Sequence, residues 1–115
     1  MARTQKIRQR ANRDANHGEL VKVFESLGGT WMETYQLPNE LDGILGIYGI
    51  DQRVEIKNPD QPTSKRALTA GEVETIEGWG GRTPVVVSTQ EEALSLVKQL
   101  RIESNELSLA KKRRA

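Results

Sequence analysis

Between Asp14 and Leu27 the apolar residues Leu20, Val21, Phe24 and Leu27 recur at helical spacing, with Asn12 or Asp14 as candidate N-caps and Gly28-Gly29 as the stop. The period then shortens to two. Thr30 to Tyr35, TWMETY, is rich in β-branched and aromatic residues and predicts a strand, and Leu37-Pro38-Asn39-Glu40 is a loop signal. Ile44, Leu45 and Ile47, followed by Val54 and Ile56, predict a hairpin that turns at Gly49-Ile50 or over Gly49 to Gln52. Residues 58–66, NPDQPTSKR, carry two prolines and read as a loop. Thr69-Ala70-Gly71-Glu72 has the form of a capping box and opens a second helix to about Trp79, with Val73, Ile76 and Trp79 as its stripe. From Thr83 the run TPVVV predicts a short strand suited to a central place in the sheet. Ser88-Thr89-Gln90-Glu91 is a second capping box, starting a third helix with Ala93, Leu94, Val97 and Leu100 inward; Ile102, Leu107 and Leu109 could prolong it beyond Arg101. The predicted order is α-β-β-β-α-β-α, an α/β chain.

The predicted hairpin gathers charge. Strand residues two apart share a face, so Glu55 and Lys57 project together and Ile56 points the other way. Either candidate turn contains an even number of residues, which keeps Asp42 on the face of Glu55 and Lys57. Two carboxylates and an ammonium in that pattern suit a hard cation such as Mg²⁺ or Mn²⁺ and the hydrolysis of a phosphate ester. They equally suit a cross-strand salt bridge on a surface hairpin, which contributes little stability. Gly43 and Gly46 interrupt the first strand, and glycine there marks close approach of another group. Gly46 is placed to clear space beside Glu55.

Composition narrows the chemistry. The 115 residues suit one domain with one core. No apolar run approaches the ~20 residues that span a bilayer, and the basic start lacks the apolar stretch of a secretory signal, so a cytoplasmic protein is expected. There is no cysteine and one histidine, His17, so any metal must rest mainly on oxygen. The net charge of +1 conceals a division. Arg3, Lys6, Arg8, Arg10 and Arg13, with Lys111, Lys112, Arg113 and Arg114, are nine of the seventeen basic residues; segment 14–110 keeps eight against all sixteen acids, a balance of −8. Basic termini of this kind track phosphates and make nucleic acid the natural partner, although such runs also serve as solubilising tails. Lys65 and Arg66, in the loop that leaves the acidic cluster, are further candidate phosphate contacts.

In order along the chain, RDAN (Arg13 to Asn16), Glu19, DGILG from Asp42, VEIK from Val54, PTSKRALT (Pro62 to Thr69), WGG from Trp79 and VVSTQEEAL (Val86 to Leu94) resemble the small phage-type PD-(D/E)XK nucleases. The single-domain VRR-NUC proteins, themselves similar to Holliday-junction resolvases, are the group the chain looks most like, over roughly residues 12–97. The resemblance implies a restriction-endonuclease-like core, a central mixed sheet flanked by helices, spanning 13–101 between a basic, disordered arm (1–12) and a basic C-terminal tail (102–115). It implies a metal-dependent endonuclease for branched or four-way DNA in a phage-infected bacterial cytoplasm, acting as a homodimer with Mg²⁺ or Mn²⁺. By the same resemblance Asp42, Glu55 and the main-chain carbonyl of Ile56 hold metal, Lys57 is the catalytic lysine and Glu19 the first-helix acid that completes the site. Leu41 stands where the family has proline, and Glu72 where the group often has glutamine. The alternative is a nuclease-fold scaffold without activity that binds DNA or a protein partner.

Overall fold

The computed structural model describes residues 16–37, 40–60 and 68–114. The expected N-terminal arm, with Arg8 and Arg10 in it, and Arg13, Lys65 and Arg66 lie outside the described residues. Helix α1 is His17–Ser26, followed by strands β1 (Thr30–Glu33), β2 (Gly43–Ile47) and β3 (Ile50–Ile56). Helix α2 (Ala70–Gly78), strand β4 (Val85–Val87) and helix α3 (Gln90–Arg114) complete the expected order. The sheet runs β1-β2-β3-β4, with β1, β2 and β3 antiparallel and β4 parallel to β3. A four-stranded mixed sheet carries helices on both faces.

Alternation along the strands decides what each face meets. Leu45, Ile47, Val54, Ile56 and Val87 project to one side and form the core with Leu20 and Phe24 of α1 and Ala93, Val97 and Leu100 of α3. Helices α1 and α3 also pack on one another there. Residues of opposite parity, Arg53 and Lys57, meet α2 on the second face through Trp79 and Glu72. That helix buries none of its side chains, and Val73 and Trp79 of its expected stripe are exposed. Polar contacts, more than an apolar stripe, hold it to the sheet.

The β2–β3 turn falls at Tyr48-Gly49, one residue earlier than expected, pairing Ile47 with Ile50. Both turn residues have positive φ, 54° and 76°, the geometry of a two-residue type I′ hairpin whose twist matches the strands it joins. The loop keeps its even length, so face assignments survive while the register moves. Gly43 pairs with Val54, which brings Asp42, the preceding residue, alongside Glu55.

Four other expectations are corrected. Strand β4 lies at an edge of the described sheet instead of its centre, with Val86 exposed and Val87 buried. The third helix is capped one residue later than expected: Thr89 Oγ1 accepts from Glu92 N–H at 3.1 Å, and Glu92 Oε1 accepts from Thr89 N–H at 3.1 Å. Leu94 is exposed, because the buried stripe is Ala93, Val97 and Leu100, spaced four and three residues apart. The helix also continues through the segment expected as a tail. Ser104 Oγ donates to the Tyr48 carbonyl at 2.9 Å, Arg82 pairs with Glu103, and beyond them Lys111 and Lys112 are exposed on its last turns.

Candidate functional site

The end of β3 and the start of β2 interlock through side chains and backbone. Asp42 Oδ2 accepts a 2.7 Å hydrogen bond from Ile56 N–H, while Glu55 Oε1 accepts from Asp42 N–H at 3.2 Å. Each carboxylate thus fixes the strand that carries the other. Leu41 is fully buried, and its carbonyl accepts from Thr34 Oγ1 at 2.7 Å. Gly43 follows with the Trp31 ring against it: a Cβ there would lie 2.2 Å from Trp31 Cζ2 and 2.6 Å from the Met32 carbonyl. Trp31 in turn stacks on Phe24 at 5.6 Å, so core packing sets the height of the backbone next to Asp42.

Lys57 reaches both Glu55 Oε2, at 3.3 Å, and Glu72 Oε1, at 2.9 Å. The role of Glu72 on the second helix is therefore double. Its carboxylate accepts from Thr69 N–H at 2.8 Å as half of a capping box, and also accepts from the lysine of the strand. The capping sequence fully accounts for a glutamate at that position, so nothing local in the sequence announces the contact made fifteen residues away.

The group's electrostatics follow from its burial. Burial pushes the Glu55 carboxyl up to about 10, helped by a hydrogen bond with Glu72 and the charges of Asp42 and Glu72, against the pull of Lys57. Burial also pushes Glu72 up, but hydrogen bonds with Glu55, Thr69 and Lys57 outweigh it and bring that carboxyl down to about 2. Burial disfavours the charged lysine, yet the two glutamates outweigh it and raise Lys57 above its ordinary value. Burial thus favours the protonated form of Glu55 although it lies 3.3 Å from the lysine, while the shorter contact, at 2.9 Å, joins Lys57 to Glu72.

Asn16 belongs to the same corner. It is the N-cap residue of α1, yet its side chain caps nothing; its amide donates to the carbonyls of Lys57, at 3.1 Å, and Ser88, at 2.7 Å. It ties the helix start to the strand end that presents the lysine. His17 is buried beside it, with Nε2 3.0 Å from both carboxylate oxygens of Glu33 and Nδ1 4.0 Å from Asp42 Oδ1. Carboxylates only accept, so Nε2 carries the hydrogen in that contact.

Glu19 is not brought to the group. It is exposed in the first turn of α1, two residues after buried His17 and so about 200° around the helix from it. The face turned to Asp42 carries the histidine instead. Gly46 also proves remote from Glu55: it pairs with Asp51, and a Cβ on it would meet nothing closer than 3.7 Å. Close approach belongs to Gly43.

No three His, Cys, Asp or Glu side chains converge as a ready-made metal cluster among the described residues. Asp42 and Glu55 supply two hard oxygen donors, close enough that the charge of one raises the proton affinity of the other, and a cation would relieve that repulsion as the proton does. Carboxylate oxygens of this kind are the donors a hard divalent cation takes. No helix among the described residues is long and apolar enough to cross a membrane. The chain matches no family model, no curated protein and no solved structure.

Proposed function

We propose that the chain is a metal-dependent endonuclease of the PD-(D/E)XK type, hydrolysing phosphodiester bonds in DNA, with branched or four-way DNA as the preferred substrate. One observation carries the reading: the Gly43–Val54 register brings Asp42 beside Glu55, with Lys57 on the face of Glu55 and its ammonium 3.3 Å from that carboxyl. A structural salt bridge requires one acid and one base. Here two further carboxylates, Asp42 and Glu72, surround the pair, and burial together with their charges raises the proton affinity of Glu55.

Asp42 and Glu55, with the carbonyl of Ile56, would hold Mg²⁺ or Mn²⁺, which supplies charge neutralisation at the phosphate and an acidified water. Lys57 carries a positive charge in place for a phosphate oxygen or the attacking water. Glu72 also holds that ammonium, at 2.9 Å, while Asn16 holds the Lys57 backbone. Exposed Lys111 and Lys112 would add phosphate contacts from α3, in a homodimer if the substrate is cut symmetrically.

Linear, flapped and four-way DNA incubated with Mg²⁺, Mn²⁺ or EDTA provides the test. Metal-dependent cleavage is expected, lost in Asp42→Asn and Lys57→Ala with DNA binding largely retained. Cleavage that persists undiminished in both variants would refute the assignment, and binding without cleavage would leave a non-catalytic DNA-binding protein.

A further inference from the structure

On the face of the sheet that carries Glu55 and Lys57, a second group lies two residues back along β3. Arg53 is 6% exposed, pairs through Nη2 with Glu40, and places its guanidinium carbon 4.1 Å from the centre of the Trp79 ring. Its other terminal nitrogen, Nη1, is buried without a hydrogen-bond partner. Trp79, the C-cap of α2, is nonetheless 48% exposed. A cation therefore backs one side of an indole that remains half open to solvent. Glycine at 81 leaves room for the ring in this position, because a Cβ there would lie 2.9 Å from Trp79 Nε1. Strand geometry separates Arg53 from Glu55 by roughly 7 Å, and one helix spans both groups, holding Lys57 through Glu72 and Arg53 through Trp79.

We infer that Trp79 is a stacking platform for an unpaired nucleobase, next to the proposed site of hydrolysis. The assignment to DNA rests on the endonuclease reading above. An aromatic ring accepts any base by its π-face, with no need for sequence readout. Bases inside a continuous duplex already have both faces covered by their neighbours. The ring is thus open to a base at a flap, branch or single-stranded stretch, stacked on the side away from the Arg53 guanidinium. Substrates with an unpaired base beside the cut are selected over blunt duplex.

The test uses Asp42→Asn protein in EDTA, titrated with a single-stranded oligonucleotide and with a blunt duplex containing the same sequence. In a Trp31→Phe background, where Trp79 is the sole indole, its emission should be quenched by the single strand. Trp79→Leu should weaken single-strand binding by at least about fivefold and duplex binding by less than about twofold, while Trp79→Tyr, which retains a ring, should restore most of the affinity. No quenching, an equal loss on both DNAs, or no single-strand binding by the unsubstituted chain would overturn the proposal. A failure of the endonuclease reading has a different signature: no metal-dependent cleavage by the intact chain, with quenching and its loss in Trp79→Leu preserved.

Discussion

Gly43 offers the sharpest test of how packing sets the site. Alanine there would bring a Cβ to 2.2 Å from Trp31 Cζ2, 2.5 Å from Trp31 Cε2 and 2.6 Å from the Met32 carbonyl oxygen. The ring can retreat only by disturbing its stack on Phe24, which is fully buried. The Met32 carbonyl has less freedom, because Met32 sits in the ladder between β1 and β2, opposite Ile44. Overpacking of a core typically costs about 1–3 kcal/mol. Two obstructions, one of them backbone, put Gly43→Ala at the upper end, near 3 kcal/mol, a fall in Tm of roughly 12–20 °C for a domain of this size. Gly46→Ala is the matched control in the same strand. Its nearest neighbours would be Asp51 Oδ1 at 3.7 Å and the Thr30 carbonyl at 3.9 Å, ordinary contacts. The loss of unfolded-chain freedom then leaves it neutral to about 1 kcal/mol more stable. Urea unfolding followed by circular dichroism measures both, provided the m-values match the parent. Equal midpoints for the two variants, or a loss below about 1 kcal/mol in Gly43→Ala, would contradict the close approach of Trp31 to this strand.

Two further substitutions probe other links. Glu55 keeps a proton in the fold up to about pH 10, whereas the unfolded chain releases it near 4.5, so unfolding liberates a proton between those values and the Glu55 contribution to stability falls as pH rises through that window. Glu55→Gln cannot ionise and retains a donor for Glu72; in EDTA its stability relative to the parent should therefore increase from pH 5 to pH 9, by up to about 1 kcal/mol per pH unit, and parallel urea midpoints across that range would dispose of the buried, protonated carboxyl. Tyr48 holds a φ of 54° in the turn, a conformation that costs a residue with a bulky side chain about 1 kcal/mol and that asparagine before glycine adopts readily. Tyr48→Asn leaves the carbonyl that Ser104 binds and should stabilise by about 0.5–1 kcal/mol; a lowered midpoint would mean that the tyrosine ring contributes more packing than its exposure indicates.

What the sequence makes legible divides along physical lines. Parity is robust: Asp42 returns to Glu55 and Lys57 because any even loop preserves the face, even though the turn is at Tyr48-Gly49. Register is fragile, since it depends on which two residues tolerate positive φ, and a tyrosine gives no signal that it will be one of them. Element order follows from local periodicity, but the place of β4 in the sheet does not. An apolar triplet reads as central, whereas one valine facing α3 and one left open suffice for an edge strand. The extension of α3 escaped for the opposite reason. Past Leu100 the chain keeps leucine, glutamate, alanine, lysine and arginine, strong helix formers, without a periodic apolar face, so propensity carries the helix where amphipathic patterning ends. At the site, the residues read from the strand are those that converge, because strand geometry is local. Contacts made across elements are different: Glu72 is concealed by its cap, Asn16 because the sequence places the N-cap earlier, at Asn12 or Asp14, and Glu19 is displaced once α1 turns the histidine inward. Each depends on how a helix is rotated against the sheet. For α1 that rotation is set by Leu20 and Phe24 with Trp31 in the core, so apolar packing decides which of its polar residues meet the strand.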